Sequence, residues 1–208
     1  MEIATFGNSE NPAKLFIMLH GYGADKNDLI SLAPEFAEHF PDAYFVSPNA
    51  PHSCEMSPFG YQWFGLRGFG EKELIAGVED VAPILNNFID RQLTKFGLEE
   101  KDVVLLGFSQ GSMMALYVAL RRKNPVAGVV SFSGLLVGDE NINCKPPVCL
   151  IHGTFDPVVT FNYMGQAEDA LNEMGVPVEG HARHGLPHGI DPEGTNIAIE
   201  FAERCFNS

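Results

Sequence analysis

Basic residues are scarce in this chain: 13 lysines and arginines stand against 27 aspartates and glutamates, giving a formal net charge of −14 over 208 residues. Nucleic acid and anionic membrane surfaces would both repel that excess, so neither is expected as a partner. Cysteine is sparse as well. Cys54, Cys144, Cys149 and Cys205 form no C-x-x-C pair and fall far short of a disulfide scaffold, which points to reduced thiols in a cytoplasmic setting. No apolar run approaches the roughly 18 residues of a membrane-spanning helix, so stable membrane insertion is not expected. The opening MEIATFGNSENPAKLF lacks a basic stretch followed by an apolar one, and export is not expected either. No internal repeat, low-complexity tract or Pro/Gly-rich linker divides the chain. Residues 1–208 therefore read as one domain, with 45% hydrophobic residues to build its core.

What the chain does have is alternation. Lys14 to His20, Ala43 to Ser47, Asp102 to Phe108, Val126 to Ser133 and Pro147 to Gly153 are nearly continuous apolar runs of strand length, the pattern of strands covered on both faces. VPVEGHAR, ending at Arg183, has a weaker strand pattern. Between the strands lie amphipathic segments. The clearest, Lys72 to Phe96, repeats apolar residues at steps of three and four, although Pro83 should kink or split it. Shorter helices are expected at Asp28 to Phe40, Ser112 to Arg122, Phe161 to Met174 and Glu193 to Cys205. This order predicts an α/β fold, a mainly parallel sheet with helices on both faces. The long aperiodic stretch from Pro48 to Glu73 is of a kind that usually serves function.

One strand-to-helix junction carries chemistry. Gly107-Phe108-Ser109-Gln110-Gly111 fits G-x-S-x-G between an apolar strand and an amphipathic helix. A sharp turn there would strain the serine backbone, expose its hydroxyl and leave the Gln110 N–H free to meet an oxyanion. The alternative is an ordinary βα turn with Ser109 as a helix cap. A serine nucleophile needs a base and a residue to orient that base. Asp156 follows the strand ending at Gly153, and His188 lies in a loop before the last helix, which gives the order Ser, Asp, His. Asp139 is the rival acid, but GDENIN around it reads as a solvated turn. His181 and His184 read as structural, as do His20 and His152 at strand ends. His184 and His188 are four apart, but Gly185 and Pro187 argue against a helix there, so no metal site is expected. A second oxyanion donor is expected from the backbone of Tyr22 in LHGYGAD. That loop lacks the glycine spacing and the GK[ST] ending of phosphate-binding loops.

As a set, LHGYGAD, WFGL at Trp63, GFSQGS, FSGLL at Phe132, IHGTFDPVV and GLPHGI resemble the carboxylesterase/phospholipase family of α/β-hydrolases, which includes acyl-protein thioesterases and small bacterial carboxylesterases. The resemblance implies a triad of Ser109, Asp156 and His188 and an oxyanion hole from the backbone of Tyr22 and Gln110. It implies hydrolysis of short to medium acyl esters or thioesters, with lysophospholipid or protein-bound palmitate as alternatives, no cofactor, and a possible homodimer. Partners would then be small ester, thioester or lipid substrates. The chain departs from the family pattern at Ser112, where a second glycine is usual, at Thr160, often proline, and at Tyr22, frequently leucine. Phe59, Trp63, Phe64 and Leu66, with Leu135 and Leu136, are the candidates for an apolar acyl trough.

Overall fold

Branched and aromatic residues build the centre of the molecule. The computed structural model describes residues 1–66, 70–138 and 141–207. Its strands are β1 (Ile3–Gly7), β2 (Lys14–Leu19), β3 (Ala43–Pro48), β4 (His52–Ser53), β5 (Tyr61–Gln62), β6 (Val103–Phe108), β7 (Gly128–Phe132), β8 (Val148–Gly153) and β9 (Val178–Arg183). The helices are α1 (Ala33–His39), α2 (Glu71–Phe96), α3 (Gln110–Arg121), α4 (Asn162–Glu173) and α5 (Pro192–Phe206). Seven strands form one sheet in the order β1-β3-β2-β6-β7-β8-β9, and β4 pairs with β5 separately. Only the β1–β3 pairing in the large sheet is antiparallel.

Successive strand side chains point to opposite faces, and each face has its own core. Leu15, Ile17 and Leu19 of β2 join Val103 and Leu105 of β6 under α2, α3 and α4. Phe16 and Met18 join Val104, Leu106 and Ile151 under α1 and α5. Because β3, β2, β6, β7, β8 and β9 run parallel, the segments after β2, β6, β7, β8 and β9 all leave the same edge of the sheet. Open α/β sheets bind ligands at that edge.

Two sequence expectations are corrected. Helix α2 is not split at Pro83. Pro83 and Glu79, whose carbonyl loses its partner four residues on, are both exposed, so water replaces the missing bond. The Asp28 to Phe40 helix is two pieces, a 3-10 turn at Leu29–Leu32 followed by α1. Strand β1 was not legible because most of it is exposed, as befits an antiparallel edge strand. Asp139 lies outside the described residues.

Candidate active site

The turn after β6 is tight because two glycines let backbones meet. A Cβ on Gly107 would lie 2.4 Å from the Gly111 carbonyl oxygen, and one on Gly111 would lie 2.0 Å from that of Leu19. Squeezed between them, Ser109 takes φ 53° and ψ −116°, a conformation that costs a non-glycine residue on the order of 1–3 kcal/mol. It is held there by its N–H, which donates to the Phe132 carbonyl at 2.9 Å. The Ser109 side chain makes no capping hydrogen bond to α3, so it is not used as a cap. Gln110 is the first residue of α3, and its backbone N–H has no intrahelical acceptor. The Gln110 side chain is clamped instead: its Oε1 accepts from the Trp63 N–H at 2.9 Å, and its Nε2 donates to the Phe64 carbonyl at 2.7 Å.

The loop after β2 turns beside the serine. The Ala24 N–H donates to the Gly21 carbonyl, closing a β-turn with Gly23 at φ 80°, the left-handed third position that favours glycine. Tyr22 occupies the second position, where the turn makes no use of its N–H. The fully buried His20 anchors the loop. Its Nδ1 donates to the Gly21 carbonyl at 2.7 Å, which leaves Nε2 to accept the Ala50 N–H at 3.0 Å. The Trp63 indole donates to the His20 carbonyl at 2.9 Å. The Tyr22 phenol is pushed up by burial and by a hydrogen bond with Cys54.

Burial holds the His20 imidazole below its ordinary pKa, against the raising effects of its bond to Gly21 and of Asp28 and Asp25. Between that lowered value and about 6.5, the unfolded chain carries a proton that the folded chain does not. Stability therefore rises with pH across this window and falls on acidification below about 6.5. Urea midpoints measured from about pH 7 to 5 are expected to decline, with a shallower slope in His20→Gln. An equal slope in the variant would contradict this assignment.

Asp156 and His188 meet from the loops after β8 and β9. Asp156 Oδ1 accepts the N–H groups of Val158 at 2.8 Å and Val159 at 2.9 Å, while Oδ2 lies 2.7 Å from His188 Nδ1. Burial pushes this carboxyl up, but its bonds from His188 and the two N–H groups outweigh that and hold it below the usual carboxylate range. Since the carboxylate only accepts, Nδ1 carries the proton and Nε2 is left basic. His152, expected to be structural, donates from Nε2 to the Val159 carbonyl at 2.8 Å and lies 3.3 Å from Asp156 Oδ2. Arg183 at the end of β9 grips Asp191 at the start of α5 through three hydrogen bonds, bracketing the His188 loop. The His188 ring packs on Phe108 with centroids 4.8 Å apart.

Ser109, His188, Tyr22 and Gln110 open on one cavity of about 350 Å³. Leu66 and Leu135, two of the trough candidates, line it. Trp63 and Phe64 do not. Trp63 is fully buried and Phe64 nearly so, both packed in the α2/α3 core, so they brace the site from behind. Phe59 is 81% exposed, away from the lining. Sequence reasoning missed Leu74, Met113, Val158, Val159, Tyr163 and Asp28 as lining residues. The two valines that follow Asp156 and Pro157 were the available signal. Ser112 is fully buried with its Oγ 2.5 Å from that of Ser131, which supplies the partner a hydroxyl needs in place of glycine.

Cys149, Glu179 and His181 place ligand atoms within 4.8 Å of one another. Glu179 already accepts from Arg204 at 2.6 Å and pairs with His181 Nε2 at 3.1 Å, and burial pushes the Cys149 thiol far up. The cluster is a satisfied hydrogen-bond group, and its protonated thiol is a poor metal ligand.

A strained serine at a strand-to-helix turn, an Asp–His pair beyond later strands and a mostly parallel sheet define an α/β-hydrolase fold. The chain belongs to the phospholipase/carboxylesterase family, whose profile matches residues 3–206. It is similar to esterase YpfH of Escherichia coli, 28% identical over 92% of this chain and 83% of that one. Acyl-protein thioesterase 1 of Debaryomyces hansenii is also 28% identical, over 92% and 91% of the two chains. The crystal structure of esterase PE8 superposes with a TM-score of 0.92 at 39% identity, covering 97% of each chain. Among the described residues, no helix is long and apolar enough to cross a membrane.

Proposed function

We propose that this chain, acting as a single domain, is a serine carboxylesterase that hydrolyses esters or thioesters of short to medium acyl chains. The observation that carries the reading is the 2.7 Å bond from His188 Nδ1 to Asp156, in a site where His188 and the strained Ser109 face the same cavity. Ser109 Oγ attacks the acyl carbonyl while His188 Nε2 takes its proton. Asp156 fixes the tautomer and stabilises the imidazolium. The backbone N–H groups of Tyr22 and Gln110 meet the oxyanion, aided by the positive end of α3. The tetrahedral intermediate expels the alcohol or thiol, which leaves with the proton from His188. Water, deprotonated by the same imidazole, then releases the acid and restores Ser109. No cofactor takes part in these steps. The free thiols of Cys54, Cys144, Cys149 and Cys205 support a reducing, cytoplasmic compartment.

Leu66, Leu74, Met113 and Leu135 give the acyl chain a short apolar wall, which suits medium chains. Hydrolysis of p-nitrophenyl acetate, butyrate, octanoate and palmitate at about pH 8 tests this. The expected kcat/KM peaks at butyrate or octanoate and falls about tenfold or more at palmitate. No turnover of any ester would refute esterase activity. A maximum at palmitate would favour the lysophospholipase or depalmitoylase reading instead.

A further inference from the structure

The lining of the cavity has two unlike arms, one drawn from each side of the sheet. Leu66, Leu74, Met113 and Leu135 belong to or pack against the core on the α2/α3 side. Phe108 belongs to the opposite side, where Leu29, next to Asp28, is also buried. Asp28 itself lines the cavity there. Ser109 stands at the sheet edge between the two arms.

Asp28 holds the N-cap position of the Leu29–Leu32 turn, where an aspartate ordinarily accepts a backbone N–H. Its side chain makes no capping bond. The Ser31 N–H and hydroxyl both go to the Asp28 carbonyl instead, and among the described residues the carboxylate makes no hydrogen bond. Among the described residues, and apart from His188, it is the one ionisable lining group besides two tyrosines, Tyr22 and Tyr163. Desolvation pushes the carboxyl pKa of this exposed side chain up, with His20 opposing the effect and Asp25 adding to it. A carboxylate on a cavity-lining residue, left unused by its own helix, is placed to act on the substrate's charge.

Building on the esterase reading, we propose that the apolar arm takes the acyl group and the Asp28 arm takes the alcohol. Asp28 then selects esters whose alcohol carries a positive charge, such as a quaternary ammonium, over neutral isosteres. A single carboxylate a few ångströms from the cation, in a partly wet cavity, supports a preference of about tenfold. Salt weakens that preference, because the site opens to solvent.

The test compares kcat/KM for the butyrate esters of choline and of 3,3-dimethylbutanol, which match in shape and differ in charge. In the wild type the choline ester is expected to lead by about tenfold at low salt and to lose most of that lead in about 1 M sodium chloride. In Asp28→Asn the ratio is expected to fall to near one. Glu200→Gln, which removes an exposed carboxylate on α5 outside the cavity, should keep the wild-type ratio and so separates local from net charge. Should Asp28→Asn fail to fold, the wild-type ratio and its salt dependence still decide. A wild-type ratio near one, or an equal ratio in Asp28→Asn, overturns the proposal while leaving the esterase reading intact. Failure of the wild type on both the neutral ester and the p-nitrophenyl panel would overturn the esterase reading itself.

Discussion

Replacing Ser109 by alanine lowers kcat for p-nitrophenyl butyrate by about four orders of magnitude or more, with KM little changed. The size of the effect follows from the role assigned to the hydroxyl. In the proposed mechanism it forms the covalent bond to the acyl group, and His188 and Asp156 serve only to activate it, so removing it would idle all three together. What remains is the oxyanion site and substrate positioning, which in triad enzymes retain on the order of 10³–10⁴-fold over water. KM holds because the cavity walls survive: Leu66, Met113 and Leu135 do not depend on the hydroxyl. Stability should not fall, and relief of the strained φ of 53° is limited because alanine still carries a Cβ. Steady-state kinetics with thermal melts of both proteins check both halves. A mutant retaining more than about a tenth of the wild-type kcat would remove Ser109 from the mechanism.

Gly111→Ala is expected to be the most damaging single-methyl change near the site. Inside a helix, glycine to alanine gains up to about 1 kcal/mol, and Gly111, the second residue of α3, can gain no more than that. Here the new Cβ would sit 2.0 Å from the Leu19 carbonyl oxygen and 2.6 Å from that of His20, both rigid backbone at the end of β2. Neither can swing aside like a flexible side chain, so α3 must lift off the sheet. Overpacking of this kind costs about 1–3 kcal/mol, which outweighs the helix gain and reverses the sign. The same shift separates the Gln110 N–H from the Tyr22 loop, so activity should fall with stability. Gly165→Ala in α4 is the matched control, since its added Cβ meets nothing within 4 Å and is expected to stabilise. Urea unfolding of the two variants distinguishes them; equal effects would mean the close approach at Gly111 is not a constraint.

Much of this arrangement was legible in the sequence because the decisive signals were local. The G-x-S-x-G at the end of a continuous apolar strand locates the elbow, and runs such as Val103 to Phe108 are long enough to read as buried strands. What stayed hidden depends on tertiary context. Pro83 reads as a helix breaker, yet sits where solvent covers the lost bond. Trp63 reads as a pocket aromatic, yet its indole is spent on the His20 carbonyl in the core. Asp28 reads as an ordinary helix start, and only the fold places it in the cavity lining without a capping bond. Composition carries no information about which face of a turn a side chain will take.

The central claim is that Ser109 is a nucleophile activated by His188 and Asp156. Treating the native protein with a fluorophosphonate and mapping the adduct by mass spectrometry tests it most directly. The expected result is one phosphonyl group per chain, on Ser109, with labelling lost in Ser109→Ala and strongly slowed in His188→Ala. An adduct at another residue, or an unlabelled Ser109 in protein that hydrolyses esters, would contradict the account.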